Sequence, residues 1–179
     1  MSDWKLLNTS TASGASSVEF TDLTGYKIFK FVFVDIHVAT DDVRFGFQTS
    51  IDGGSNYNTT ITSTSFSSYH NEADNDAMLT YNAGMDLAQA TTFQCLTASM
   101  GTDSDQQLSG EFHLFNPAST TYVKHWTSRT INYDSRDYAW DAHLAGYVND
   151  GSNDLTNIKF YCNSGNFDGV IKQYGLVAT

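Results

Sequence analysis

Tyr26-Lys-Ile-Phe-Lys-Phe-Val-Phe-Val-Asp-Ile36 is the longest run of β-branched and aromatic residues in the chain. Such residues lose little by lying on a pleated surface and pack well there. Side chains alternate along a strand. Tyr26, Ile28, Lys30, Val32, Val34 and Ile36 therefore fall on one face, and Lys27, Phe29, Phe31, Phe33, Asp35 and His37 on the other. Both faces are largely apolar, which predicts a strand inside a sheet with cover on both sides. A helix fits less well, because apolar residues would run all round it and no cap precedes them.

Outward from this run the same period recurs. In Val43–Ser50, Val43, Phe45, Phe47 and Thr49 face one way and Arg44, Gly46, Gln48 and Ser50 the other, a one-sided strand. Asp52-Gly-Gly-Ser-Asn56 is the strongest turn: its glycines supply positive φ, and Asp and Asn bond the local backbone. Tyr57–Tyr69 reads as a Thr/Ser-rich strand with Ile61 and Phe66 inward. Asn71–Ala90 reads as a long loop, or as a loop with one helical turn near Met85–Gln89. Thr92–Ser99 and Ser109–Phe115 read as a strand pair, with Phe112 and Leu114 inward and Glu111 and His113 outward; Pro117 ends it. Tyr122–Ile131, Ala142–Val148, Ile158–Asn163 and Val170–Leu176 follow. At the start, Trp4–Leu7 is a short edge-like strand, and Asn8–Ser17 is either a flexible arm or an irregular edge strand. About nine or ten turn-separated strands predict an all-β, antiparallel β-sandwich of jelly-roll type, in one domain over residues 1–179, with 1–17 as an arm or edge segment.

Composition agrees. Of 20 Asp+Glu only Glu19, Glu72 and Glu111 are Glu, so 20 − 3 = 17 are Asp. Asp favours turns and Glu favours helices, so little helix is expected. The net charge of −11 argues against nucleic-acid binding, which needs a Lys/Arg surface. No apolar stretch reads as a leader or approaches the ~18 residues of a membrane span, so folding in the cytosol is expected. Cys95 and Cys162 are then expected to be buried free thiols.

Catalytic signatures are missing: no G-x-S-x-G, P-loop, G-x-G-x-x-G or H-E-x-x-H, and the five His show no close ligand spacing. An enzyme is not expected, and no catalytic, cofactor-binding or metal-ligating residue is assigned. Glu72-x-Asp74-x-Asp76 resembles a calcium loop. Ala77 stands where such a loop needs Gly and Ala83 where it needs Glu, which excludes an EF-hand. Solvated carboxylates are the expected reading, with a calcium site of another kind here or at Asp52 as the alternative. Between Tyr133 and Asp141, Tyr133, Arg136, Tyr138 and Trp140 lie among Asp134, Asp137 and Asp141. That stretch suits a sugar-stacking patch, an aromatic anchor for a protein, or a loop folded onto its own sandwich. Trp4 joins those four as a candidate interface residue.

Five sets of stretches stand out together: Ser50-Ile-Asp-Gly-Gly-Ser-Asn-Tyr57, the opening Trp4-Lys-Leu with Val18-Glu-Phe20, Leu114-Phe-Asn-Pro117, Gly146-Tyr147 with Ile158-Lys-Phe160, and Ser164-Gly-Asn-Phe-Asp-Gly169 leading to Ile171 and Tyr174-Gly175. In these the chain resembles small virion structural proteins of marine tailed phages. The resemblance spans nearly the whole chain. It implies a structural protein of the virion, foremost a capsid decoration (cement) protein that binds the coat as a dimer or trimer, without cofactor, nucleic acid or membrane. A tail-fibre or baseplate module that binds host glycan is the alternative.

Phe31→Asp is expected to abolish folding, since an unpaired buried charge costs several kcal/mol out of a total of about 5–15. Loss of the cooperative thermal transition measures it; wild-type stability would break the interior-strand reading.

Overall fold

Strand-forming residues bounded by Asp, Asn and Gly turns recur along the chain, and the computed structural model, which describes residues 3–151 and 153–176, pairs them into two antiparallel sheets. Met1 and Ser2, the start of the stretch read for a leader, lie outside those residues. The described residues contain twelve strands and no helix. These are β1 (Trp4–Ala15), β2 (Ser17–Thr21), β3 (Ile28–Val38), β4 (Phe45–Ser50), β5 (Ile61–Asn71), β6 (Ala77–Tyr81), β7 (Gln94–Cys95), β8 (Leu108–Phe115), β9 (Lys124–Tyr133), β10 (Tyr138–Val148), β11 (Asn157–Cys162) and β12 (Phe167–Leu176). The large sheet runs β1-β12-β3-β8-β9-β10-β5-β6 and the small one β2-β11-β4-β7. The chain passes back and forth between them, so β1, β3, β8 and β12 alternate with β2, β4, β7 and β11. Two hairpins, β5–β6 and β9–β10, are added to the large sheet alone.

The two sheets meet over a core of phenylalanines. Phe160 of β11 lies among Phe20, Phe31, Phe33, Phe45, Phe47 and Phe112, with ring centroids 5.1–6.4 Å apart. Tilted and edge-on pairs like these add to simple area burial. Cys95 and Cys162 are free and buried, and burial pushes the Cys162 thiol up to about 12.

Several elements depart from the sequence reading, each for a local physical reason. Strand β3 is one-sided. Phe29, Phe31 and Phe33 are buried, while Ile28, Lys30, Val32 and Val34 are half-buried on an uncovered outer face. At Asp35 the backbone turns to φ 52° and the pairing with β8 and β12 slips, a β-bulge. The slip moves Ile36 and Val38 onto the core face, against the strict alternation read from the sequence. Strand β4, read as one-sided, is buried on both faces. Its second face is sealed by Gln48, whose amide donates to the carbonyls of Thr59, Thr91 and Thr92 (3.1–3.2 Å). Only Gln94–Cys95 of the predicted Thr92–Ser99 strand pairs, and it pairs with β4; β8 lies in the other sheet. Asn71–Ala90 contains a strand, β6, and no helical turn. Asn8–Ser17 supplies most of β1, an edge strand with two irregularities in its pairing to β12.

Asp tolerates the left-handed conformation better than β-branched residues do. Asp35→Gly is therefore expected to keep or raise the melting temperature, and Asp35→Val to lower stability by about 1–2 kcal/mol through strain at the bulge. Thermal unfolding of the two variants checks the sign.

Candidate functional site: the outer face of the large sheet

Eight strands against four leave one face of the large sheet without a second layer. Its side chains are those that alternate with the core rows. One row runs Tyr174, Lys30, His113, Thr127, Ala145, Thr64, and the next runs Lys172, Val32, Glu111, Arg129, His143, Phe66, Tyr81. A third carries Val170 and Val34, with Ile131, Asp141, Ser68 and Leu79 further across. Leu6, Phe66, Leu79, Tyr81 and Ile131 are exposed on it.

Charge on this face differs from the rest of the molecule. Its three central rows hold Lys30, Lys172 and Arg129 against Glu111 and Asp141, so 3 − 2 = +1, within a chain of −11. Asp35 and Asp168 stand beyond these rows, at the bulge. At the β1 end, Lys30 Nζ sits 4.7 Å from the Trp4 ring and 5.7 Å from that of Tyr174, and His113 lies 5.9 Å from Trp4. Burial holds the His113 imidazole below its ordinary pKa. Further across, Phe66 stacks on His143 at 4.8 Å, nearly parallel. Arg129 grips Asp141 with two hydrogen bonds of 3.0 and 2.9 Å, and His143 reaches the same carboxylate at 3.3 Å. Small side chains of Thr64, Thr127 and Ala145 form the floor of a shallow depression of about 310 Å³ between these groups.

The predicted site residues separate. Trp4 lies on this face. Tyr133 is at the far end of β9, its hydroxyl donating to Glu72 (3.2 Å). Arg136, Tyr138 and Trp140 do come together, but on the opposite side of the β9–β10 hairpin. The Arg136 guanidinium lies 4.9 Å from the Tyr138 ring and 5.5 Å from that of Trp140. It also pairs with the fully buried Asp134 at 2.5 Å, whose carboxylate accepts from the backbone of Arg136 and Tyr138 as well. Trp140 is only 6% exposed and stacks on Tyr69, so it offers no broad face to a sugar ring. The neighbouring cleft of about 490 Å³ is polar, with Arg44, Arg136, Asp41, Asp42 and Asn82 in its walls.

The acids considered for calcium are engaged within the chain. Asp52 accepts from Ser50 and Asn56, and the Asn56 side chain, followed by Ser50, lowers its carboxyl pKa to about 2. Asp74 faces His70, and Asp76 accepts from Tyr138. Among the described residues no cluster of three or more His, Cys, Asp or Glu is placed to hold a metal. Three features escaped the sequence reading: the bulge at Asp35, the exposed β6, and Lys124, a buried lysine that donates to the Asn153 carbonyl. An exposed β6 had one readable sign, the uncharged A-M-L-T-Y inside an acidic segment.

The class of protein defined by this arrangement is an all-β, two-sheet domain with one broad uncovered face. Compared with known proteins, the chain matches no family model, no curated protein and no solved structure.

The Arg129 hydrogen bonds hold the Asp141 carboxyl below its ordinary value. A carboxyl depressed on folding stabilises fully above its unfolded pKa, about 3.9, and loses that contribution as pH falls through the folded value. Arg129→Met is thus expected to move the Asp141 pKa upward in a carboxyl NMR titration and to flatten the fall in melting temperature below pH 4. An unmoved pKa would remove the pair from the account of this face.

Proposed function

We propose that this chain is a structural protein of a tailed-phage particle, a decoration (cement) protein that binds the outside of the coat shell. The observation that carries the reading is the uncovered face of the large sheet. Exposed apolar side chains cluster at its two ends, Leu6 beside Trp4 and Tyr174, and Phe66 with Leu79 and Tyr81, and such patches mark surfaces that meet another macromolecule. Aromatic residues and Arg, which dominate interface cores, are set here in a nearly flat field around Trp4, Lys30, Tyr174, Phe66 and Arg129. A flat field suits a protein surface better than a small ligand, which favours a concave, enclosing pocket. The strongly acidic remainder would keep free copies apart and turn this face toward the partner.

Topology supports the finer fold reading. The orders β1-β12-β3-β8 and β2-β11-β4-β7, with the chain alternating between them, suit a jelly roll into which β5–β6 and β9–β10 have been inserted. The resemblance to marine-phage virion proteins points the same way. A host-glycan module would have to use the polar cleft beside Arg136, because the Tyr69, Tyr138 and Trp140 rings pack on one another.

The test is binding to expanded capsids that lack the protein. Saturation at a fixed copy number per coat subunit is expected, with immunogold label on the shell. Trp4→Ala should weaken binding roughly tenfold or more if Trp4 anchors the contact, while Trp140→Ala acts only through stability. Label confined to the tail, or glycan binding lost with Arg136→Ala, would overturn the decoration reading.

A further inference from the structure

Open sheets carry two edges each, and proteins blunt them to prevent strand addition. Three of the four edges here are blunted by known means. Strand β1 has two irregularities in its ladder, β2 places Glu19 at its centre, and β7 is two residues long. The fourth, β6, is blunted by nothing. Ala77-Met-Leu-Thr-Tyr81 holds no charge, proline or glycine, its register with β5 is unbroken, and Leu79 is 74% exposed.

We propose that β6 is a self-association edge, and that its occupant is β6 of a second copy of this chain, antiparallel about a two-fold axis through Leu79. Hydrogen-bond phase gives the register. Asn71 N donates to Asp76 O and Asn82 N to Ser65 O, so the even residues of β6 face β5. In an antiparallel ladder the odd residues then face outward, and Ala77, Leu79 and Tyr81 present their N–H and C=O groups to the open side. The Tyr81 carbonyl is touched there by its neighbour's Thr80 hydroxyl at 3.0 Å, a bond that a stronger backbone donor can displace. With Leu79 opposite Leu79 of the second copy, Ala77 meets Tyr81 in the hydrogen-bonded phase, giving about six backbone bonds.

Side chains and charges agree with that register. Ala77, Leu79 and Tyr81 share the outer face with Phe66, so the paired strands would join two exposed apolar corners. Met78 falls opposite Thr80, and just past the strand ends Asp76 falls opposite Asn82, so no like charges meet along the paired strands although each chain carries −11. Elsewhere on the acidic surface a second copy would be repelled. A five-residue ladder is smaller than the ~800 Å² per partner of a standard interface, so a dimer forming at roughly tens to hundreds of micromolar is expected in free solution. On a repeating surface the same weak pairing would add to each copy's own contact through high effective concentration. The pairing stands apart from the particle reading, since either can fail without the other.

Sedimentation of the full chain from about 10 µM to 1 mM spans the affinities such a small interface allows. A monomer–dimer equilibrium is expected, and Leu79→Lys should weaken it about tenfold or more by placing two lysines face to face. Circular dichroism should show an unchanged fold, because Leu79 is a surface side chain. Leu79→Cys should form an interchain disulfide under mild oxidation, since hydrogen-bonded pairs sit about 5.5 Å apart at Cα, inside the disulfide range. Thr80→Cys should not, because in this register its two copies lie about 8 Å apart. A wild-type monomer throughout, dimerisation untouched by Leu79→Lys, or equal cross-linking of the two cysteine variants would each overturn the proposal.

Discussion

The structure depends on one aromatic knot. Phe160 on the small sheet meets Phe31, Phe33 and Phe112 of the large sheet, and Phe20, Phe45 and Phe47 of its own, so a single ring position ties both layers. Sheets pack about 10 Å apart, a gap that interdigitating phenylalanines fill without leaving voids. The inserted β9–β10 and β5–β6 extend the large sheet past this knot, yet inner side chains of β9 and β5 still meet the small sheet. Trp126 of β9 packs edge-on against Phe47 of β4 at 5.1 Å, with Phe112 stacked on it at 5.6 Å. Gln94 of β7 donates to the Met85 carbonyl (2.8 Å) and accepts from Ser63 of β5 (2.7 Å), tying the edge of the small sheet to β5.

Local rules account for what the sequence made legible. Strand type, turn positions and the buried row of Phe29, Phe31, Phe33, Phe112 and Leu114 follow from period-two alternation and from Asp/Asn/Gly turn chemistry, which act over a few residues. Phe66, read as inward with Ile61, is 49% exposed on the outer face, because five residues along one strand put the two on opposite sides. Sheet membership does not follow from such local rules. Thr92–Ser99 looks like a strand because its residues favour one, yet buried amides hold much of its backbone, with Gln48 donating to the Thr92 carbonyl and Gln94 to that of Cys95, and just Gln94–Cys95 pairs. The bulge at Asp35 was hidden because Asp interrupts an apolar face without revealing that the count of residues slips. Both misread faces came from treating hydrophobicity as cover. Ile28, Val32 and Val34 are apolar but half-buried, whereas Gln48 and Ser50 are polar and fully enclosed.

For the candidate site, residue type was legible and location was not. Aromatic residues with Arg near Asp134–Trp140 suggested one patch, but a hairpin strand sends alternate side chains to opposite faces. The ladder sets Trp140 opposite Asn132, so Tyr133, one residue on, points to the other side of the sheet. Trp4, distant in sequence from every other candidate, joins Lys30 and His113 because β1 returns beside β12 at the opposite edge from β6. Such a meeting of chain start, middle and end is fixed by topology, and no local spacing records it.

Exposed apolar patches at the two ends of an uncovered sheet face endanger any protein that must stay dispersed, and here charge placement opposes that danger. The face itself is near neutral, so it neither strongly attracts nor strongly repels a partner of either sign. Its charges are mostly spent locally: Arg129 on Asp141 and Lys30 over the Trp4 and Tyr174 rings. The remaining surface carries the balance of −11 − (+1) = −12, which sets repulsion between copies. Repulsion of this kind is screened beyond about 10 Å at ordinary salt, so it grows as two copies close in and does not act at long range. Charge therefore governs the geometry of an encounter: acidic surfaces repel at contact, while the near-neutral face is approached at the least Coulomb cost.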